Sequence, residues 1–383
     1  MKFGLFYEQQ LPRPWSANAE QALFQQGLDQ IELADKLGYD CVWMVEHHFM
    51  EEYSHCSAPE VFLAAASQRT KTIRLGHGVV QMTTNHPARV AERVSTLDLV
   101  SNGRVEFGMG EGATTTELHP FDRRVRDKRA VWEDAVRATI PMFYNEAWQY
   151  EGEYFKFPAR NVLPKPVQKP HPPLWVAASQ MDTARQAGQW GLGALAFQFV
   201  SADVAHKWVA AYYNAFVNDQ KPLTDYQTNA NLAMVTPLMC AATDAEAIAK
   251  ADGWTFFQFA LKYYGTHPLI PPGSVNIWDE YQAWRQTPDG QKSATTGLIG
   301  SPETCRARMR KFEASNIDQV ILLLQAGQNR HEDIMASLEI FAKEVMPEFK
   351  AREPEHQEWK RKVLAGEIVL EEEPSAPRPA MAT

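Results

Sequence analysis

Eight short apolar runs recur along the chain, each followed by a stretch of helical period. They are KFGLFY (2–7), DCVWMVE (40–46), IRLGHGVV (73–80), RVEFGMG (104–110), PLWVAAS (173–179), LGALAFQ (192–198), ANLAMVTPLM (230–239) and IDQVILLLQ (317–325). The helical patterning predicts helices near 19–37, 58–69, 87–101, 127–145, 181–190, 202–217, 244–264 and 331–346, with Gly38 as the stop of the first. Strands apolar on both faces and separated by helices imply a parallel sheet covered on both sides. Eight such units close most economically into an α/β fold of the (β/α)8 TIM-barrel type, a doubly wound open sheet being the alternative. A barrel puts its active site at the C-terminal ends of the strands.

Two segments break the rhythm. Residues 147–172 are Pro-rich and aromatic, and residues 265–297 carry few helical signals before Pro302 starts the next helix. Both read as insertions that form lids or binding loops on one barrel domain spanning 1–350. Residues 351–383 read as a charged extension whose end, EEEPSAPRPAMAT, has the composition of disorder.

A net charge of -9 without any long Lys/Arg run argues against nucleic acid and for a small-molecule ligand. No apolar run approaches the roughly 20 residues that span a bilayer, and MKFGLFYEQQ lacks the shape of a signal peptide, so a cytoplasmic protein is expected. Cys41, Cys56, Cys240 and Cys305 show no CxxC spacing and read as buried free thiols.

Chemistry concentrates where strands end. In VWMVEHHFM (42–50), neighbouring residues of a strand point to opposite faces, so His47 and His48 cannot share a metal unless the strand has already ended. His47 is then either a satisfied core imidazole or a catalytic group at the end of strand two. The other strand ends supply Val80 to Thr83, Gly110-Glu111-Gly112, Ala178-Ser179, Gln198 and Gln325. This polar ring of low charge suits a large, mostly neutral ligand better than a metal hydrolase. GMGEG (108–112) has glycines spaced for backbone approach to a phosphate, but no third glycine opens a helix as a dinucleotide fold requires. Ser179 is either an N-cap or, with Thr183 one turn on, a phosphate ligand. In GWTFFQFALKYY (253–264), Trp254, Phe257, Leu261 and Tyr264 share one helical face, as core packing or as a dry wall for a substrate.

With these placed, MKFG, GYDCVWMVEHHF, TTNHPARVAERVSTLDLVSNGRVEFGMGEG, LPKPVQKPHPPLWVAAS, IGSPETCRARMRKFEASNIDQVILLLQ and HEDIMASLEIFAKEVMPEF carry a resemblance. Together they resemble the bacterial luciferase-like, flavin-dependent monooxygenases from Met1 to about Phe349. The resemblance implies a barrel, usually dimeric, that takes reduced FMN (FMNH2) from a separate NAD(P)H:flavin reductase. With O2 it would oxygenate a hydrophobic small molecule through a flavin hydroperoxide. His47 matches the family's catalytic histidine, with His48 packing or orienting. Ser179 and Thr183 match the phosphate-binding end of strand five, and Gly78-Val79 sits where the family often has a non-prolyl cis peptide under the flavin.

Gln81, Gly110, Glu111 and Ala178 complete the expected cofactor contacts; Phe6, Gln198, Trp254 and Phe257 are the expected substrate contacts. One departure stands out: Glu111 occupies the place of a phosphate-binding arginine, and Arg123, Arg124 and Arg126 are the cations expected to compensate it. His47 is expected to act as a neutral imidazole with a pKa near its ordinary value of about 6.5. Siblings that use the deazaflavin F420 for hydride transfer supply an alternative cofactor. A non-catalytic partner subunit is a further alternative, against which the intact EHH motif argues. The lack of Arg or Lys in the ring suggests a neutral substrate, unless Lys165, Lys169 or Arg285 reaches the site.

Overall fold

A computed structural model describes residues 1–371 apart from 198, 268–269 and 294–296, so the expected contact Gln198 and the end of the tail lie outside the described residues. The barrel strands are β1 (Lys2–Tyr7), β2 (Cys41–Met44), β3 (Arg74–His77), β4 (Val105–Gly110), β5 (Leu174–Ala178), β6 (Gly193–Ala196), β7 (Leu232–Cys240) and β8 (Gln319–Gln325). All pair in parallel in chain order, and the β8–β1 pairing, with Lys2 opposite Gln319, closes the ring. The expected (β/α)8 barrel is therefore the fold.

Two tryptophans fill the inside of the ring. Trp43 of β2 and Trp175 of β5 meet edge to face, their centroids 5.1 Å apart. Each indole N–H has a buried acceptor, Gln319 Oε1 at 3.0 Å for Trp43 and Glu106 Oε2 at 2.6 Å for Trp175. A Cβ at Gly76 on β3 would fall inside the Trp43 ring, and one at Gly193 on β6 inside the Trp175 ring. The glycines are the space that the indoles occupy.

Several expected boundaries are corrected. The third strand does not run to residue 80: it stops at His77, the Gly78–Val79 peptide is cis, and a separate Val80–Gln81 strand pairs with β4. The helix expected over 244–264 is two helices, Asp244–Lys250 and Phe256–Thr266. Gly253 between them donates its N–H to Asn329 Oδ1 at 2.8 Å and lies where a Cβ would strike the Ala326 carbonyl, so close backbone approach replaces the helix there. The 147–172 insertion holds an antiparallel hairpin, Trp148–Glu151 with Lys156–Arg160, tied down by the Asp134 carboxylate, which accepts from Tyr150 Oη and from the N–H groups of Tyr154 and Phe155.

The 265–297 insertion is also more ordered than its sequence suggests. It contains the helices Ile277–Trp284 and Pro288–Ser293. The first begins on a distant carboxylate: Glu52 accepts the N–H groups of Ile277 at 2.8 Å and Trp278 at 3.1 Å. An acceptor 225 residues away satisfies the first two orphan donors of this helix, and local sequence cannot announce it.

At the opposite end of the barrel, the helix Glu353–Leu364 packs under β8. Buried Asp318 accepts from Tyr213 Oη (2.7 Å), Leu232 N–H (2.7 Å), Lys360 Nζ (2.9 Å) and His356 Nε2 (3.0 Å). Burial opposes its ionisation, but Lys360 and His356 outweigh burial and hold the carboxyl well below the ordinary range. A depressed folded pKa means that this stabilisation is complete above the unfolded value of about 4 and is lost as pH falls below it. Asp318→Ala is expected to destabilise the protein by about 3–5 kcal/mol at neutral pH, read as a lower urea midpoint, with the gap to wild type narrowing in acid.

Candidate active site

The C-terminal strand ends enclose a cavity of about 340 Å³. β1 carries Phe6 and leads into Glu8, β2 leads into Val45, Glu46 and His47, and Gly78, Val79 and Gln81 follow β3. Gly110 ends β4 and Glu111 to Ala113 follow it; Val176 and Ala177 belong to β5 and Ser179 follows it; Phe197 follows β6; Phe257 and Leu261 descend from the helix Phe256–Thr266.

His47 sits in a set of carboxylates. Its Nδ1 donates to Glu117 Oε1 at 2.6 Å, and its Nε2 lies 3.5 Å from Glu8 Oε2. Glu117 is fully buried yet well satisfied: the same Oε1 accepts from Gln81 Nε2 at 2.6 Å, and Oε2 accepts from Thr114 Oγ1 at 3.2 Å. Thr114 also caps the short helix Thr115–Leu118 by accepting from the Glu117 N–H at 3.3 Å. Burial alone would lower the His47 pKa, but Glu117 and then Glu8 outweigh it and raise the imidazole to about 9. Burial also opposes ionisation of Glu117, and His47, Gln81 and Thr114 overcome it to hold that carboxyl below its ordinary value. Two carboxylates beside it thus favour the protonated form of His47, against the expectation of a neutral imidazole.

Glu8 is the opposite case. Burial pushes its carboxyl up to about 7, against the pull of His47 and of Tyr53. Tyr53 Oη donates to Oε1 at 3.1 Å, whereas Oε2 has no hydrogen-bond partner among the described residues. His48 pairs with Glu46 Oε1 at 3.0 Å and packs against Phe121, away from this cluster.

Across the mouth, Lys128 and Arg129 line the rim. Glu111 is compensated by these two, Arg129 Nε at 2.6 Å and Lys128 Nζ at 3.9 Å, rather than by the expected Arg123, Arg124 or Arg126. Arg123 instead donates to the Thr83 carbonyl, and Arg126 pairs with Asp127. Two cations against one carboxylate leave the rim with a surplus positive charge. Gly112 has φ +74, which lets the chain turn under Lys128, whose Nζ donates to the Gly112 carbonyl at 3.1 Å.

Of the expected cofactor contacts, Gly78, Val79, Gln81, Gly110, Glu111, Ser179 and Thr183 line the cavity with His47, as do Phe6 and Phe257 of the expected substrate contacts. Ala178 does not; it is fully buried and its neighbour Ala177 faces the space. Trp254 is also elsewhere. It precedes the helix that carries Phe257, packs with Met239 and Ile299, and lies under the Arg285 guanidinium. The helix break at Gly253 is what separates it from the face it was expected to share. Ser179 is not the N-cap, a place Gln180 takes; Thr183 Oγ1 accepts from the Gln180 N–H at 3.0 Å. Lys165, Lys169 and Arg285 bond backbone or acidic groups outside the cavity.

Sequence reasoning missed Glu8, Tyr53, Glu117, Lys128 and Arg129. Glu8 follows the first strand directly, and Thr114-x-x-Glu117 has the spacing of a capping box, so both had a signal. The basic pair at the start of the helix Lys128–Thr139 had none, because only the fold brings it back over the mouth.

The sequence matches the luciferase-like monooxygenases over residues 1–319. It is 26% identical over 362 residues to the flavin-dependent trigonelline monooxygenase, oxygenase component, of Acinetobacter baylyi, covering 91% of this chain and 96% of that protein. It is 31% identical to the 4-hydroxyprotoasukamycin monooxygenase of Streptomyces nodosus subsp. asukaensis, covering 84% of this chain and 86% of that one. The fold superposes with a TM-score of 0.71 and 20% identity on the oxygenating constituent of 3,6-diketocamphane monooxygenase from Pseudomonas putida in complex with FMN, over 91% of this chain and 98% of that one.

The raised His47 pKa has a direct test. In Glu117→Gln, imidazole NMR is expected to show the titration of His47 falling from about 9 in the wild type by roughly 1–3 units. An unmoved titration contradicts the pairing.

Proposed function

The chain belongs to the luciferase-like monooxygenase family, and from that premise we propose that it is the oxygenase component of a two-component system. In this reading it takes reduced FMN from a separate reductase and uses molecular oxygen to oxygenate a small organic substrate with a substantial apolar part. The observation that carries the reading is one cavity with a cationic rim at one end, a largely buried imidazole hydrogen-bonded to Glu117 at the other, and apolar residues between them.

The residues fit the cofactor. Lys128, Arg129, Ser179 and Thr183 would hold the phosphate, combining charge with hydroxyl donors. Phe6, Val79, Val176, Ala177 and Phe197 would flank the flat ring. Reduced FMN supplies the electrons with which oxygen is activated. His47 contributes a proton at Nε2, because its Nδ1 hydrogen is committed to Glu117. Gln81 fixes Glu117, and so the imidazole plane, from below. Phe257 and Leu261 close the outer wall and exclude water that would divert the reaction to peroxide.

Two measurements test this. When protein loaded anaerobically with reduced FMN is mixed with oxygenated buffer, the absorbance is expected to pass through a long-lived species distinct from reduced and oxidised flavin. In His47→Ala, product formation is expected to fall by about 10²–10⁴ while flavin still binds. Reoxidation at the free-solution rate sinks the reading and makes binding of reduced F420 the next trial. Separately, Arg129→Met is expected to weaken FMN by about tenfold or more while sparing riboflavin, which lacks the phosphate; equal losses for both would remove Arg129 from the phosphate site.

A further inference from the structure

Four glutamates line the cavity or its edge, and three are fully engaged. Glu117 is held by His47, Gln81 and Thr114; Glu46 accepts from the Gln81 N–H at 2.9 Å and from Asn85 Nδ2 at 2.8 Å; Glu111 is paired with Arg129. Glu8 differs. Its residue is 1% exposed, it lines the cavity, and Oε2 lacks a hydrogen-bond partner among the described residues. The nearest cation, His47, is 3.5 Å away and is already neutralised by Glu117 at 2.6 Å. Glu8 thus has one hydrogen bond, from Tyr53 to Oε1, and at Oε2 a longer ion pair with an imidazole that it shares with Glu117, so a cation bound at Oε2 would lower the cost of keeping the buried carboxylate ionised.

The surroundings of Glu8 suit an organic cation rather than a metal ion. Tyr53 donates to Oε1 and packs on Phe257 at 5.9 Å between centroids; Phe257 meets Phe6 at 5.8 Å, and Phe6 meets Phe197 at 5.1 Å. No group of three or more His, Cys, Asp or Glu among the described residues has metal-binding geometry. A carboxylate set into a wall of aromatic faces is the arrangement that attracts an ammonium through both charge and ring quadrupoles. The rim's surplus positive charge lies on the far side of the ring, three strands round from β1, so anion and cation have separate ends of one cavity.

We propose that the substrate of this site carries a cationic nitrogen, a protonated amine or quaternary ammonium on an apolar body, and that Glu8 Oε2 is its specificity-determining partner. This deepens the function proposed above and rests on it for the chemistry, but not for the binding. It departs from the sequence-based expectation of a neutral substrate, because the Glu8 carboxylate, just past the end of β1, was absent from the ring considered there.

The test is calorimetric titration of the full-length chain, with and without FMN, by benzylammonium and by its near-isosteric neutral counterpart benzyl alcohol. Wild type is expected to bind benzylammonium about tenfold or more tightly than benzyl alcohol. Glu8→Gln, which keeps size and hydrogen bonding but removes the charge, is expected to lose the preference, and Glu8→Asp to keep it in reduced degree. Circular dichroism verifies that each variant is folded; should Glu8→Gln not fold, the Glu8→Asp comparison decides. Equal affinities in wild type, or a preference that survives Glu8→Gln or is unaltered in Glu8→Asp, would overturn the proposal. Quenching of FMN fluorescence is read in the same samples. Charge discrimination without flavin binding would fault the flavin reading alone, and flavin binding without discrimination would fault this one alone.

Discussion

Trp43 stands in the middle of the barrel, and the strands around it have given up side chains to admit it. β1 offers Gly4, β3 offers Gly76, and the segment after β3 offers Gly78, whose Cβ position is 3.1 Å from Trp43 Cβ. Because interiors pack at crystal-like density, a residue this large at the barrel axis sets where everything above it can begin. Gly78 and Val79, the floor of the cavity, rest on this plug, and Trp175 extends it toward β5 and β6. The plug is anchored by polar groups at the level below, through Gln319 and Glu106, the latter also paired with Arg74. The ligand space is therefore a shallow mouth over a solid base and not a channel.

Above that floor the burial of charge governs the arrangement. A carboxylate in a dry site is tolerated only when paired or hydrogen-bonded, and the protein treats its two nearest carboxylates to His47 differently. Glu117 receives three side-chain donors and so stays ionised below its ordinary pKa; Glu8 receives one and is pushed up to about 7. The difference follows from where each sits. Glu117 is on a helical turn capped by its own Thr114 and reached by Gln81, whereas Glu8 leaves β1 facing the open space. The same contrast favours the protonated form of His47: one firm partner holds its charge and ring orientation, and a second stands within electrostatic reach.

Much of this was legible in the chain. The alternation of apolar runs with helical periods gives the barrel because both faces of every strand are buried, and that is a property of composition within six or seven residues. His47, Ser179 and the residues after β3 and β4 followed from the rule that strand ends face the mouth. What could not be read was long-range. Glu52 starts a helix 225 residues away, so the segment 265–297 looked structureless. The Lys128 and Arg129 side chains fold back over Glu111, so the arginines at 123–126, nearer in sequence, were the wrong compensators. Trp254 shared a helical face with Phe257 on the sequence pattern, but Gly253, pressed against the Ala326 carbonyl, ends that face before it starts. Glu8 was missed for a simpler reason: Phe6 was taken as the mouth residue of the first strand, and the residue just past Tyr7 was not considered, although its place was visible.

The stretch from Glu46 to Tyr53 ties these parts together. Glu46 fixes Gln81 and Asn85; His47 carries the proton; Glu51 accepts the Gly273 N–H, and Glu52 the N–H groups of Ile277 and Trp278; Tyr53 holds Glu8 and packs on Phe257. The Ile277–Trp284 helix in turn braces the helix that carries Phe257 and Leu261, through Trp278 and Tyr281 against Phe256. One short segment thus places the imidazole, its open carboxylate and the cover of the cavity in one frame. A displacement of this segment by the length of one side-chain bond would be felt at the proton and at the outer wall together, because their supports are neighbours in sequence. Glu46, Glu51 and Glu52, close together after β2, each accept from a different segment at or behind the mouth, and an apolar residue in their place would release it.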